Sequence, residues 1–220
     1  MNIHSKKSKA HIRYRLKDNS IVPGTTTITG SELGWNKQIL ISWANCIGLE
    51  GISSSKYRDE RADIGTLAHA MVTDWLLSKK TETDDYSKNQ IAAAENSALS
   101  FFEWANHKKI RPILVEKPLV SEKYRFGGTP DIYANIDSVN ELIDLKTGSG
   151  IYPEMVIQAS TYKYLLVENG YPVESVRILN IPRTEDEAFF EQKISKAHQD
   201  IAWKIFLNCL ANYYLKREMK

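Results

Sequence analysis

Cysteine is scarce in this 220-residue chain, which holds only Cys46 and Cys209. Each stands in an apolar, helix-like stretch, so both read as reduced core thiols. The closely spaced Cys and His ligands of a structural zinc site are missing. No run approaches the roughly 18 uninterrupted apolar residues of a membrane helix. A charge excess is missing too: 29 Lys and Arg stand against 27 Asp and Glu, a net charge of +2. That balance excludes nucleic-acid binding by the whole surface and leaves room for a local basic track. No glycine-rich P-loop pattern occurs, so no nucleotide cofactor or ATP-driven activity is expected. The basic stretch at residues 1–17 lacks the apolar centre of a signal peptide. A cytoplasmic protein that does not enter a membrane is expected.

Ordinary apolar and charged fractions let a chain of this length bury roughly 70% of its surface without staples. Residues 11–22 predict a β-hairpin: Ile12, Tyr14 and Leu16 alternate with Arg13, Arg15 and Lys17, and Asp18-Asn19-Ser20 supplies the turn. A helix is predicted over 31–49, striped by Trp35, Ile39, Trp43 and Ile47, then a loop over 51–60. Further helices are predicted over 62–79 and 88–107. Strands follow at 113–120, 130–136 and 141–146, with turns at Gly127-Gly128 and at residues 137–140. A helix starting at Pro153 and stopping at Asn169-Gly170, a strand over 176–181 and a helical remainder over 185–219 complete the order. The pattern is mixed α/β around a small sheet.

The chemistry concentrates in Gly128-Thr129-Pro130-Asp131 and, thirteen residues after that Asp, Asp144-Leu145-Lys146. Strand side chains alternate, so Asp144 and Lys146 share one face. With residues 137–140 as a four-residue turn, Asp131 faces Lys146, and Asp131, Tyr133, Asp144 and Lys146 share that face. On its own the pair also reads as an ordinary cross-strand ion pair, worth about 0.2–1 kcal/mol. Two carboxylates so close repel unless something neutralises them. A hard divalent cation with oxygen ligands does so, and can polarise a phosphoryl oxygen and acidify a bound water. A nearby ammonium stabilises developing phosphate charge.

Taken in order, Gly65-Thr66-Leu67-Ala68-His69, Glu116, Gly128-Thr129-Pro130-Asp131, Asp144-Leu145-Lys146-Thr147-Gly148, and Gln158 with Tyr162 resemble the motifs of RecB-like PD-(D/E)XK nucleases. Upstream, residues 22–28 and Trp43-Ala44 resemble the opening segment of phage and mitochondrial-genome-maintenance-type exonucleases. The resemblance implies a restriction-endonuclease-like core, a small central mixed sheet flanked by helices. It implies one nuclease domain over 1–220: a hairpin and helical lead-in at 1–60, the core at 61–182 and a helical region at 183–220. It also implies Mg²⁺ or Mn²⁺ held by His69, Asp131, Asp144 and the backbone carbonyl of Leu145. Lys146 would help activate the attacking water, Glu116 would support the metal or water network, and Gln158 and Tyr162 would line a DNA-facing helix.

The residues themselves support part of this. His69 stands off the stripe of Ile64, Leu67, Met71 and Trp75, with Gly65 leaving space beside the imidazole. His4, His11, His107 and His198 have no such setting and read as surface residues. Tyr162 reads equally as core, being close to the stripe of Met155, Ala159 and Leu166. Two cysteines cannot build the iron–sulfur cluster of a CRISPR-associated branch of the family.

The expected activity is exonucleolytic cleavage of DNA ends with single-stranded DNA at the site, in a recombination or repair setting of prokaryotic or viral origin. A recombination or replication protein could partner it. Phosphate contacts are expected from Arg13, Arg15, Lys17, Lys56 and Arg58. A structure-selective endonuclease and a non-catalytic DNA-binding recombination protein are the alternatives.

Overall fold

The computed structural model describes residues 12–219. Lys6, Lys7, Lys9, His4 and His11 lie outside them. The chain forms a mixed α/β fold around a five-stranded sheet. That sheet is ordered β3 (Ile110–Val115), β6 (Ile132–Ile136), β7 (Val139–Lys146), β8 (Ser175–Asn180) and β9 (Phe190–Lys193). Among the described strands of that sheet only β7 and β8 pair in parallel; α5 (Pro153–Glu168) makes the crossover that parallel strands require. Two short hairpins, β1 (Tyr14–Arg15) with β2 (Ile21–Val22) and β4 (Leu119–Ser121) with β5 (Phe126–Gly128), stand beside it.

β7 runs through the middle of the sheet, and Leu142, Ile143, Asp144 and Leu145 are all 0% exposed. Burial on both faces is why Leu142–Leu145 reads as an apolar run broken by one acid. Ile132, Ala134, Ile143 and Leu145 pack toward α3 (Ser54–Leu76) and α4 (Lys88–Ala105). Tyr133, Leu142, Val176 and Ile178 pack toward α5 and α6 (Lys196–Glu218). Each large side chain so buried contributes about 1.5–3 kcal/mol relative to exposure. Local signals agree with the packing. Ser87 and Gln90 form a reciprocal cap that starts α4, and Gly170 at φ 86° follows α5.

Several sequence expectations are corrected. The helix expected over 31–49 is two: α1 (Thr25–Glu32) and α2 (Lys37–Leu49), separated around Gly34. The apolar stripe of α2 does not face a core. No α2 residue is buried, and Ile39 is 71% exposed. The loop expected over 51–60 is largely helix, because α3 starts at Ser54 with Ser53 as its N-cap. The boundary drawn at residue 60 therefore falls inside a helix. The strand expected over 113–120 breaks at Glu116, whose φ of 44° turns the chain out of the ladder, and its halves join different sheets. Gly127-Gly128, expected as a turn, is part of β5. Within the expected helical tail, β9 joins the main sheet through β8. In the first hairpin Leu16 is buried, whereas Ile12 is 50% exposed.

Candidate active site

Asp131 stands immediately before β6, and Asp144 and Lys146 lie on β7. The connecting turn is tighter than the spacing suggests. Ile136 pairs with Val139, leaving only Asp137 and Ser138 between them, at φ 49° and 75°. Positive φ at both central residues is the geometry of a two-residue hairpin turn, which Asp tolerates. The register therefore differs by two residues from the one expected. Ile132 pairs with Ile143, which sets Asp131 beside Asp144 rather than Lys146. A shift of two preserves faces. The two acids, Tyr133 and Lys146 still share one side of the sheet.

Asp131 is fastened in place by the backbone. Its Oδ2 accepts the Leu145 N–H at 2.8 Å, and its own carbonyl accepts the Glu116 N–H at 2.9 Å. Glu116 is half-buried at this bend, beside Asp131 rather than within a continuing strand. From α3, the Nδ1 of His69 comes to 3.6 Å from Asp131 Oδ1, with 21% of the imidazole side chain exposed. Gly65, one turn earlier, does not leave an empty space beside the ring. A Cβ there would come within 2.6 Å of Thr147 Oγ1. Its lack of a side chain instead lets α3 close onto the end of β7.

The second acid has a different partner. Lys146 Nζ lies 2.5 Å from Asp144 Oδ2, and no other hydrogen-bond partner reaches the two buried carboxylate oxygens of Asp144. Electrostatics divide the acids accordingly. Burial opposes ionisation of Asp131, but His69, Lys146 and the Leu145 N–H outweigh it and hold the carboxyl below its usual range. Burial pushes Asp144 up to about 6 despite the Lys146 charge, and neighbouring Asp131 adds to the rise. Burial disfavours the Lys146 cation, yet Asp144 and Asp131 keep its pKa raised. Burial, with the two acids behind it, raises the Tyr162 phenol well above its ordinary value, so it stays protonated.

Tyr162 resolves as core and site lining together. It is 4% exposed, packs over Gly128, and accepts a hydrogen bond from Gln158 Nε2 at 3.1 Å. A Cβ at Gly128 would stand 2.6 Å from the Tyr162 ring, so glycine is what admits the ring there.

As placed, no three His, Cys, Asp or Glu side chains among the described residues converge closely enough to hold a metal ion. His69 with Asp131 and Lys146 with Asp144 form two adjacent pairs instead. The chemistry of the donors nonetheless fits a hard divalent cation: two carboxylates, an imidazole, and a buried Asp144 oxygen, Oδ1, without a hydrogen-bond partner.

Among the proposed phosphate contacts, Arg13, Arg15 and Lys17 are exposed on or beside β1, and Lys56 and Arg58 are exposed on α3. Arg58, eleven residues before His69, falls about 20° from the His69 direction on the helix, whereas Lys56 falls about 140° away. Arg58 is paired with its neighbour Asp59 at 2.7 Å. His107 and His198 are exposed, as expected.

Three residues at the site were given no site role from sequence. Tyr14 Oη lies 2.9 Å from Thr129 Oγ1, and the Tyr14 ring covers Gly127, joining the basic hairpin to the segment that carries Asp131. Thr147 fills the Gly65 notch. Asn180, fully buried and paired in register with Lys146, donates to the carbonyls of Gly148 and Ala188, and its Oδ1 has no partner. A polar residue between the apolar pair Ile178-Leu179 and Ile181 was the available signal for Asn180.

No protein-family profile matches the chain, and no curated protein matches it. Among solved structures it is similar to a Eubacterium rectale protein with a provisional exonuclease designation. The two are 12% identical over 66% of this chain and 64% of that one, at a TM-score of 0.43. It is also similar to LHK-Exo, an alkaline exonuclease from Laribacter hongkongensis, at 14% identity over 72% of this chain and 90% of that one, TM-score 0.35. The structure of LHK-Exo in complex with dAMP scores 0.35 as well. This chain thus spans just under two thirds of the Eubacterium rectale protein.

Proposed function

We propose that this chain is a Mg²⁺- or Mn²⁺-dependent DNA nuclease of the PD-(D/E)XK type, acting as an exonuclease with single-stranded DNA at the site. The observation that carries the reading is one juxtaposition. Asp131, with His69 at 3.6 Å, stands beside Asp144, with Lys146 at 2.5 Å, although His69 is 62 residues from Asp131 along the chain. His69, Asp131, Asp144 and the Leu145 carbonyl would hold the ion. When bound, it supplies polarisation of the phosphodiester and a water of lowered pKa.

The protein's own groups do the rest. Lys146, kept cationic by two acids, can give up Asp144 as its partner and turn to the phosphate charge that develops during cleavage. Tyr162, protonated and held by Gln158, offers a neutral hydrogen-bonding group on α5. Glu116 shares a backbone bond with Asp131 and can fix the water network there. Arg13, Arg15, Lys17, Lys56 and Arg58 are the proposed phosphate contacts. A DNA-bound recombination or replication protein is the proposed partner.

The test is cleavage of labelled linear and covalently closed circular DNA with Mg²⁺, with Mn²⁺ and with chelator. Metal-dependent loss of linear DNA with circles spared is the expected result. Equal attack on circles would replace the exonuclease reading by an endonuclease one. No cleavage of any DNA with either metal would overturn the nuclease reading itself.

A further inference from the structure

We infer that Arg61 is a phosphate-anchoring residue for the DNA strand entering the site, an inference that rests on the nuclease reading above. Arg61 lies on α3 eight residues before His69, about 12 Å along the axis and about 80° around it. At roughly 3.4 Å per stacked nucleotide of one strand, that distance spans only a few nucleotides. Between the two residues, Gly65 meets Thr147 at the end of β7, so this side of α3 faces the catalytic edge of the sheet.

The charge on Arg61 is the unusual feature. Its Nη1 lies 3.3 Å from Glu187 Oε1, in the segment between β8 and β9. Glu187, however, is already satisfied by Arg183, whose backbone N–H at 2.8 Å, Nε at 3.1 Å and Nη2 all reach its carboxylate. Arg183 is the primary cause holding the Glu187 carboxyl below its usual range, with Arg61 the weakest. Two guanidiniums thus face this one carboxylate. The Arg183 side chain is 10% exposed and that of Arg61 is 38% exposed, so Arg61 is the more accessible of the two cations.

Its plane is also oriented. The guanidinium carbon stands 4.7 Å from the centre of the Tyr57 ring, and Nη2 donates to the Tyr57 hydroxyl. The Tyr57 ring is in turn braced by Trp43 of α2 at 6.0 Å. A guanidinium held by an aromatic face and one shared carboxylate loses little freedom when it binds a phosphate. Glu187 thus positions Arg61 without consuming it.

Binding of a fluorescein-labelled oligothymidylate in chelator, measured by anisotropy across a salt series, tests this apart from cleavage. Arg61→Gln should weaken binding about tenfold and flatten the plot of log affinity against log salt by about 0.7, the share of one single-strand phosphate. Arg61→Lys should keep the slope. Glu187→Gln breaks the same ion pair while leaving the cation, and should bind at least as tightly as wild type. If Arg61→Gln lowers the melting temperature but leaves the salt slope unchanged, or if Glu187→Gln weakens binding equally, Arg61 is only a clasp between helix and loop. The inference then fails while the nuclease reading stands. Failure of the wild-type protein to bind the oligonucleotide at any salt concentration would overturn both.

Discussion

The Lys146 ammonium lies 2.5 Å from the carboxylate of Asp144, which is 0% exposed on β7. Burial pushes the Asp144 pKa up to about 6, against an ordinary 3.8, in spite of that pairing. A carboxyl with a raised folded pKa binds its proton more tightly in the folded state. Its contribution to stability is therefore full below 3.8 and is lost as pH rises through about 6. The loss is at most on the order of 3 kcal/mol. Asp144→Asn removes this titration. In metal-free protein, the melting temperature of the variant minus that of wild type should grow between pH 4 and 6 and level off above. A difference that stays flat across that window would show that Asp144 is not strained by its burial.

Addition of Mg²⁺ or Mn²⁺ at neutral pH should raise the melting temperature. At a hundredfold excess over Kd the stabilisation is about 2.7 kcal/mol, or roughly 5–10 °C for a chain of this size. His69→Ala and Asp144→Asn should each reduce the shift. Unchanged metal-induced shifts in both variants would remove these residues from the ligand set.

Lys146→Ala should lower single-turnover cleavage about 10²–10³-fold, the scale for removing one group aimed at transition-state charge. Oligonucleotide affinity should fall far less. A variant that cleaves normally would return Lys146 to the role of plain counterion for Asp144.

Gly127→Ala should detach the basic hairpin. A Cβ there would stand 2.1 Å from the Tyr14 ring, against ring atoms next to the side-chain root rather than a flexible tip. Overpacking of this kind costs about 1–3 kcal/mol. Tyr14→Ala in the same chain should recover much of that cost, a non-additivity that a denaturant double-mutant cycle reads directly. Simple additivity of the two changes would mean that the ring had already left the glycine.

The core of the site was legible because it depends on parity. Asp131, Tyr133, Asp144 and Lys146 fall on one face in either register, so an error of two residues in the turn did no harm to their grouping. It did alter which residue stands beside Asp131. Asp137 and Ser138 at positive φ carry no glycine to announce the tight turn. The same reason hid the break at Glu116, where an acid adopts a left-handed φ of 44° inside an apparently continuous strand. β9 was missed because Phe190–Lys193 pairs with the sheet on one side only, with three of its four residues exposed, and so shows no apolar alternation. In α2 the opposite happened. A four-residue apolar period mimics a core-facing helix, yet none of its residues is fully buried.

That uncovered helix divides the molecule energetically. α2 contributes no fully buried side chain, and an aromatic contact between Trp43 and Tyr57 ties it to α3. Its amides can open to hydrogen exchange without disturbing the sheet, whereas those of β7 wait for global unfolding. The segment joining α1 to α3 is thus a separately yielding unit, one whose opening leaves the spacing of Asp131 and Asp144 at the sheet unchanged.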